Sequence, residues 1–191
     1  MGEPIVEWLN QQQDNMVELL RDLVDIDSNS FDKAGVDRVG ARLTAFFDDN
    51  EIPHETIPLE EYGDAIRAVV SGGNGNQPIL LCGHRDTVFP TGEVKKRPFS
   101  IADGKAFGPG VADMKPGLVI NAFILAAFHK FGGHPNPLVG LFTGDEEIGS
   151  PASQDVITAE AEKARLAFNS EPSRPSGNIC LLYTSDAADD P

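Results

Sequence analysis

The sequence has few cysteines and few basic residues. It holds two cysteines, Cys82 and Cys180, in 191 residues, too few for a disulfide framework, so a reducing cytoplasm is the default expectation. The 15 lysines and arginines stand against 30 aspartates and glutamates, and the formal net charge is −15. This excess of negative charge argues against nucleic acids and anionic membrane surfaces as partners, because both attract basic patches.

Long hydrophobic runs are also missing from the sequence. No apolar segment approaches the roughly 20 residues that a transmembrane helix needs, and the N-terminus lacks the charged-then-apolar pattern of a signal peptide. Hydrophobic residues nevertheless make up 40% of the chain. A chain of this length buries roughly 70% of its unfolded surface, so we expect a folded domain that does not associate with a membrane.

Short apolar runs alternate with amphipathic segments along the chain. The continuous apolar character of two of the runs suits strands that are covered on both faces. The alternation predicts an α/β fold, with a mostly parallel sheet and helices on both of its faces. A stretch rich in glycine and proline, 83–114, is predicted to be a long irregular loop, and such loops in compact domains are usually functional or disordered. The predicted helices are 14–26, 33–50, 116–131 and 153–164, and the predicted strands are 65–71, 78–82, 138–142 and 165–168.

Acidic and histidine residues lie where three of the predicted strands end and where the apolar helix begins. In an open parallel sheet, ligands bind in the crevice at the carboxyl ends of the strands. Residues that are distant in the sequence can therefore converge on one site. The candidate residues are His84, Asp86, Asp113, Glu146, Glu147 and Glu171.

One histidine among several carboxylates suits a divalent metal ion such as zinc, cobalt or manganese. Two such ions, ~3.5–4 Å apart, are a standard hydrolytic arrangement, and Asp113 could bridge them. Asp86 lies two residues after His84 and could hold the second ring nitrogen of the histidine. Of Glu146 and Glu147, one could bind metal while the other serves as a general base, because adjacent side chains point in different directions.

Each candidate also has a simpler structural explanation. His84 could be a buried structural histidine, Asp86 could be a turn or cap residue, and Asp113 could be a helix N-cap. Glu146 and Glu147 could belong to a solvated acidic stretch. The occurrence of such residues at successive strand ends favours a site. Cys82 is predicted to be a core residue rather than a nucleophile, and a serine hydrolase is poorly supported because the candidate serines lack a positioned histidine base.

Four segments together resemble the motifs of the di-zinc aminoacylase/carboxypeptidase family of metallopeptidases. This family includes acetylornithine deacetylase, succinyl-diaminopimelate desuccinylase, aminoacylase and the folate-cleaving glutamate carboxypeptidase, which the stretch between 87 and 110 resembles most. Pro116 departs from the family pattern, which usually has glycine there, but proline is well tolerated in a first helical turn. The resemblance covers roughly residues 14–178, and its motifs are at 83–88, 108–115, 145–150 and 171–172.

The resemblance implies a hydrolase that uses two divalent ions, with zinc as the first expectation. It implies cleavage of an amide bond next to a free carboxylate, in a small peptide or an N-acyl amino acid. We expect an exopeptidase of the glutamate carboxypeptidase type, with an N-acyl-amino-acid deacylase as the alternative. The implied roles are His84 and Glu171 as ligands of one ion, Glu147 as a ligand of the other, Asp113 as the bridge, Asp86 as the residue that orients His84, and Glu146 as the general base.

The family's catalytic domain is interrupted by a lid domain that carries dimer contacts, and a last histidine ligand lies beyond this insertion. The sequence contains neither of these parts. We therefore expect residues 1–178 to be the N-terminal part of a catalytic domain, with a homodimer possible in the full-length protein. Residues 179–191 resemble a translated sequencing adapter, and a genuine acidic tail is the alternative. An inactive, truncated metal-binding fragment is the competing prediction.

Overall fold

The computed structural model describes residues 2–73 and 76–172. The predictions for the tail at 179–191 lie outside these residues. The helices are α1 (Gly2–Asn10), α2 (Gln13–Val24), α3 (Lys33–Asp49), α4 (Glu93–Lys96), α5 (Lys115–Lys130) and α6 (Gln154–Ala161), with one 3-10 turn at Glu146–Ile148. The strands are β1 (His54–Ile57), β2 (Ala65–Val70), β3 (Ile79–His84), β4 (Ser100–Ala102), β5 (Lys105–Phe107), β6 (Leu138–Thr143) and β7 (Leu166–Asn169).

The central sheet has five strands in the order β1-β2-β6-β3-β7. Strand β3 pairs in parallel with both β6 and β7. Strand β2 is antiparallel to β6 and to β1, so β1, β6, β3 and β7 all run in one direction. All six residues of β6 are buried, as its continuous apolar sequence predicted.

Helices cover both faces of the sheet, which confirms the predicted fold class. On one face, α2, α3 and α5 enclose the larger core, in which the ring centroids of Phe46 and Phe123 are 4.9 Å apart. On the other face, Val156 and Ile157 of α6 pack against a smaller cluster formed by β3 and β6. Helix α5 touches both α2 and the sheet, which explains why it is apolar on nearly all sides.

Several elements differ from the sequence-based prediction. Helix α1 was not predicted, although Ile5 is buried and the ring of Trp8 lies 6.2 Å from that of Phe123. Strand β1 was missed because its residues are exposed or half-buried, and its conformation depends on pairing with β2. The predicted irregular loop at 83–114 instead contains α4 and the hairpin of β4 and β5.

Helix α5 begins at Lys115 with Pro116 in its first turn, where a missing N–H costs little. It ends before Gly132 and Gly133, which adopt positive φ angles of 88° and 84° that glycine reaches without a steric penalty. None of the helices in 2–73 and 76–172 combines the length and the apolar character needed to cross a bilayer.

Candidate metal centre

The parallel strands place the predicted residues at one edge of the sheet. Strand β3 ends at His84, which lies beside Thr143 at the end of β6. Strand β7 ends at Asn169, which pairs with Cys82 of β3, so Glu171 follows at the same edge. The start of α5 brings Asp113 to this edge as well, because its carboxylate reaches the ring of His84.

His84 is the centre of this group. Its side chain is 2% exposed. Its Nδ1 lies 3.2 Å from Asp86 Oδ1 and 3.1 Å from the backbone oxygen of Asp86. Its Nε2 faces three carboxylates, at 3.2 Å from Asp113 Oδ1 and 3.6 Å from both Glu146 Oε2 and Glu171 Oε1. The buried ring therefore has one nitrogen held by the protein and one directed at an acidic cluster.

Asp86 is fully buried and connects two parts of the site. Besides facing His84, its carboxylate accepts hydrogen bonds from Ser30 Oγ at 2.7 Å and from the backbone N–H groups of Glu146 and Glu147 at 3.2 and 3.1 Å. Burial alone would raise the pKa of Asp86, but the hydrogen bonds from His84 and Ser30 outweigh burial and lower it. Asp86 therefore does more than shape a turn, because its carboxylate contacts both the histidine ring and the backbone of the glutamate pair.

Asp113 is not a helix cap. The N-cap residue of α5 is Met114, and no side chain caps this helix. Asp113 is 54% exposed, so its carboxylate is open to a ligand. The adjacent Met114 is buried, and its Sδ accepts a hydrogen bond from the backbone N–H of His84 at 3.2 Å, which ties the Asp113 segment to β3.

The acidic cluster changes the ionisation of its members. Burial lowers the pKa of His84, but the hydrogen bond and charge of Asp86 and the charges of Glu171 and Glu146 raise it to about 9. Burial and the nearby charge of Asp113 raise the pKa values of Glu147 and Glu171. Carboxylates that repel one another in a partly buried site gain most from a bound cation.

The donor atoms fit a divalent metal ion. One ligand atom each from His84, Asp113 and Glu147 lie within 4.8 Å of one another. Two ligands of one tetrahedral zinc ion are separated by roughly 3.3–3.6 Å when the bonds are about 2.0–2.2 Å long. The separations of Asp113 and Glu171 oxygens from His84 Nε2, 3.2 and 3.6 Å, match this spacing. A mixed nitrogen and oxygen donor set suits zinc, cobalt and manganese alike.

Some residues that support the site were not singled out from the sequence. Lys115 is buried, and its Nζ donates hydrogen bonds to the backbone oxygens of Leu23 and Ile26 at 2.8 and 2.9 Å. These bonds attach the start of α5 to the end of α2. The signal was a lysine at the start of an otherwise apolar helix, because such a residue requires internal partners.

Asn121 connects α5 to the ends of β3 and β7. Its Nδ2 donates to the backbone oxygen of Cys82 at 2.8 Å, and its Oδ1 accepts from Ser170 Oγ at 2.7 Å. Ser170 immediately precedes Glu171, so this contact helps to place that carboxylate. Burial raises the pKa of the Cys82 thiol to about 11, in agreement with its prediction as a core residue.

The fold of the chain is that of known peptidases. Human carnosine dipeptidase 1 matches with a TM-score of 0.74 and 17% sequence identity, over 88% of this chain and 41% of that protein. An M20 family metallo-carboxypeptidase from Sulfolobus solfataricus matches with a TM-score of 0.70 and 18% identity, over 85% of this chain and 38% of that protein. At these identities the likeness defines the fold alone.

Sequence comparison gives the family. The model of peptidase family M20/M25/M40 matches residues 80–183. Carboxypeptidase G2 from Pseudomonas sp. (strain RS-16) is 31% identical over 181 residues, which are 93% of this chain and 43% of that protein. Acetylornithine deacetylase from Salmonella arizonae is 31% identical over 165 residues, which are 82% of this chain and 42% of that protein.

The chain therefore belongs to peptidase family M20/M25/M40. This confirms the family that the sequence motifs resemble. The chain spans less than half the length of the curated relatives it matches.

Proposed function

We propose that the protein to which these residues belong is a metal-dependent hydrolase that cleaves an amide bond next to a free carboxylate. The observation that carries the proposal is the environment of His84. Its Nε2 faces Asp113, Glu146 and Glu171, while its Nδ1 is held by the buried Asp86. Once its Nε2 is deprotonated, a histidine held in this way offers that nitrogen to a metal ion in a fixed orientation, which supports the proposal.

The residues divide into ligands and a base. His84 and Glu171 would hold one ion, Glu147 would hold the other, and Asp113 would lie between them. When bound, divalent ions supply Lewis-acid activation of a water molecule, whose pKa falls from ~15.7 toward ~7. Glu146 would accept the proton from this water and pass it to the leaving amine. Its half-exposed carboxylate is accessible to a substrate, which supports this role.

The substrate proposal follows the relatives. The identity to a carboxypeptidase over 93% of the chain supports an exopeptidase of the glutamate carboxypeptidase type, acting on a small peptide. The identity to an acetylornithine deacetylase over 82% of the chain supports the second candidate, an N-acyl-amino-acid deacylase. Hydrolysis of a dipeptide that ends in glutamate, compared with that of an acetylated amino acid by the full-length protein, separates the two candidates.

The test of the metal centre uses this chain and zinc. Equilibrium binding is measured for the wild type and for His84→Ala, Asp113→Ala and Glu146→Gln. We expect the first two variants to lose at least tenfold in zinc affinity, because a ligand is removed. Glu146→Gln should keep the affinity within about threefold, and in the full-length protein it should lose roughly 10²–10⁴-fold in turnover.

A matched control is Glu162→Gln, which removes one exposed carboxylate from the C-terminal end of α6. This variant should bind zinc like the wild type. Unchanged zinc affinity in His84→Ala and Asp113→Ala would overturn the metal centre. Loss of zinc in Glu146→Gln would overturn the assignment of Glu146 as the base rather than a ligand. A wild-type chain that binds zinc while the full-length protein cleaves neither substrate would support the inactive metal-binding alternative.

A further inference from the structure

Asp145 immediately precedes the glutamate pair and has no part in the chemistry above. Its side chain is fully buried, which is costly for a carboxylate unless donors surround it. It accepts hydrogen bonds from the backbone N–H groups of Ala152 and Ser153 at 2.7 and 3.0 Å and from Ser153 Oγ at 2.5 Å. All of these donors lie beyond the glutamates in the sequence, so their contacts close the segment into a loop.

The backbone of this loop is closed as well. The oxygen of Asp145 accepts a hydrogen bond from Ser150 N–H at 2.8 Å, and the oxygen of Glu146 accepts one from Gly149 N–H at 2.8 Å. Gly149 and Ser150 turn the chain with φ angles of 88° and 55°. The loop therefore curls around the Asp145 carboxylate and leads directly into α6.

Two buried carboxylates thus hold the glutamate pair from two sides. Asp86 accepts hydrogen bonds from the N–H groups of Glu146 and Glu147. Asp145 accepts hydrogen bonds from the residues that follow the glutamates in the loop. One of these carboxylates therefore binds the backbone of the glutamate pair, and the other binds the segment that follows it. A displacement of about 1 Å in a catalytic group can cost 10²-fold in rate.

We propose that Asp145 is a positioning residue that sets the location of Glu146 and Glu147 in the metal centre. This inference rests on the proposed function, because it assigns Asp145 to the same site. The competing explanation is that Asp145 stabilises only the start of α6, where its carboxylate meets two N–H groups. The two explanations differ in whether the effect of Asp145 on metal binding passes through Glu147.

A double-mutant cycle in the full-length protein tests the difference. Zinc affinity is measured by chelator competition for the wild type, Asp145→Asn, Glu147→Ala and the double variant, under conditions in which circular dichroism shows each to be folded. Asparagine keeps the shape of the side chain but removes its charge, which weakens the hydrogen bonds from Ala152 and Ser153 N–H. Its NH₂ group then faces Ser153 Oγ, which has to accept a hydrogen bond instead of donating one. We expect Asp145→Asn to weaken zinc binding about tenfold in the wild-type background and less than twofold in the Glu147→Ala background.

Two further variants complete the experiment. Asp155→Asn is the matched control, because it removes the same charge from an exposed position in the first turn of α6, and it should leave zinc affinity unchanged. Ser153→Ala removes one hydrogen-bond donor to Asp145 and replaces Asp145→Asn in the cycle if that variant does not fold. We expect it to weaken zinc binding about threefold, and again only when Glu147 is present.

The outcomes are distinct. Equal losses of zinc affinity in both backgrounds, or a lower melting temperature with unchanged zinc affinity, would overturn the positioning role and leave the metal centre standing. A wild-type full-length protein that does not bind zinc would overturn the proposed metal centre and this inference with it. A loss confined to the background that contains Glu147 supports both.

Discussion

Replacement of Asp86 by asparagine tests the account of the site most directly. Each carboxylate oxygen of Asp86 makes two contacts. Oδ1 faces Glu146 N–H and His84 Nδ1, and Oδ2 accepts from Ser30 Oγ and Glu147 N–H. Asparagine replaces one of these oxygens by an NH₂ group, so two contacts are lost in either orientation of the amide.

The magnitude follows from this count. A hydrogen bond to a charged group contributes about 1.5–3 kcal/mol, so the loss of two predicts a decrease of about 3–6 kcal/mol in the free energy of unfolding. If the Ser30 hydroxyl rotates and accepts from the new NH₂ group, only one contact is lost and the expected decrease is about 1.5–3 kcal/mol. If Asp86 fixes the tautomer of His84 as proposed, zinc affinity should also fall about 10–100-fold.

The assay is urea unfolding of the metal-free protein, followed by circular dichroism at pH 7 and at pH 3. The pKa of Asp86 is lower in the folded protein than its ordinary value of 3.8. Its contribution to stability is therefore present above about pH 4 and is lost as the pH falls through the lower, folded value. The difference in the free energy of unfolding between the variant and the wild type should therefore be smaller at pH 3 than at pH 7.

The control is Asp103→Asn, a substitution at an exposed turn residue with an expected effect within about 0.5 kcal/mol. If the free energy of unfolding of Asp86→Asn at pH 7 is also within about 0.5 kcal/mol of the wild-type value, the buried hydrogen bonds of Asp86 do not stabilise the fold as predicted. Zinc affinity equal to that of the wild type would refute the role of Asp86 in orienting His84.

Three further predictions concern other parts of the site. His84 has a pKa raised to about 9 and binds metal only when neutral, so zinc binding at pH 7 should release about one proton. Zinc affinity should also increase about tenfold per pH unit up to about pH 9. Calorimetry in two buffers with different ionisation enthalpies measures the proton release, and equal binding heats in both buffers would contradict it. Burial lowers the pKa of Lys115 to about 8 from 10.5, so between these values Lys115 contributes a rise of up to about 1.4 kcal/mol per pH unit to the free energy of unfolding. The raised pKa values of His84 and Cys82 contribute slopes of the opposite sign, so the quantity to measure is the difference in pH slope between the wild type and Lys115→Met, and identical slopes would refute the prediction. In Gly117→Ala the new Cβ would lie 2.2 Å from the backbone oxygen of Ser170, so we expect the free energy of unfolding to fall by about 1–3 kcal/mol, measured by thermal unfolding. Gly2→Ala is the control and should have no effect, because nothing lies within 4 Å of its new Cβ. Equal stability of the two variants would show that the end of β7 shifts without cost.

Much of the fold could be predicted because local patterns agree with the tertiary environment. The spacing of apolar residues predicted α2, α3 and α5 to within about two residues at each end, and the apolar runs predicted β3 and β6. Strand β1 could not be predicted because its four residues are not buried. Its conformation depends on antiparallel pairing with β2, which the sequence of β1 alone does not encode.

For the candidate site, the sequence determined which residue types stand at the strand ends, and the motif residues predicted the family that the comparisons confirmed. It left open whether Asp113 caps a helix and whether Asp86 shapes only a turn. The tertiary structure decided these alternatives, because the partners of both side chains are distant in the chain: Asp86 meets Ser30 and Glu147, and Asp113 meets His84. The burial of Asp145 was decided in the same way, since a carboxylate in an acidic stretch becomes an anchor only when the loop folds back and brings its donors to it. A residue's chemistry is thus fixed by its identity, whereas its function depends on partners that folding alone brings together.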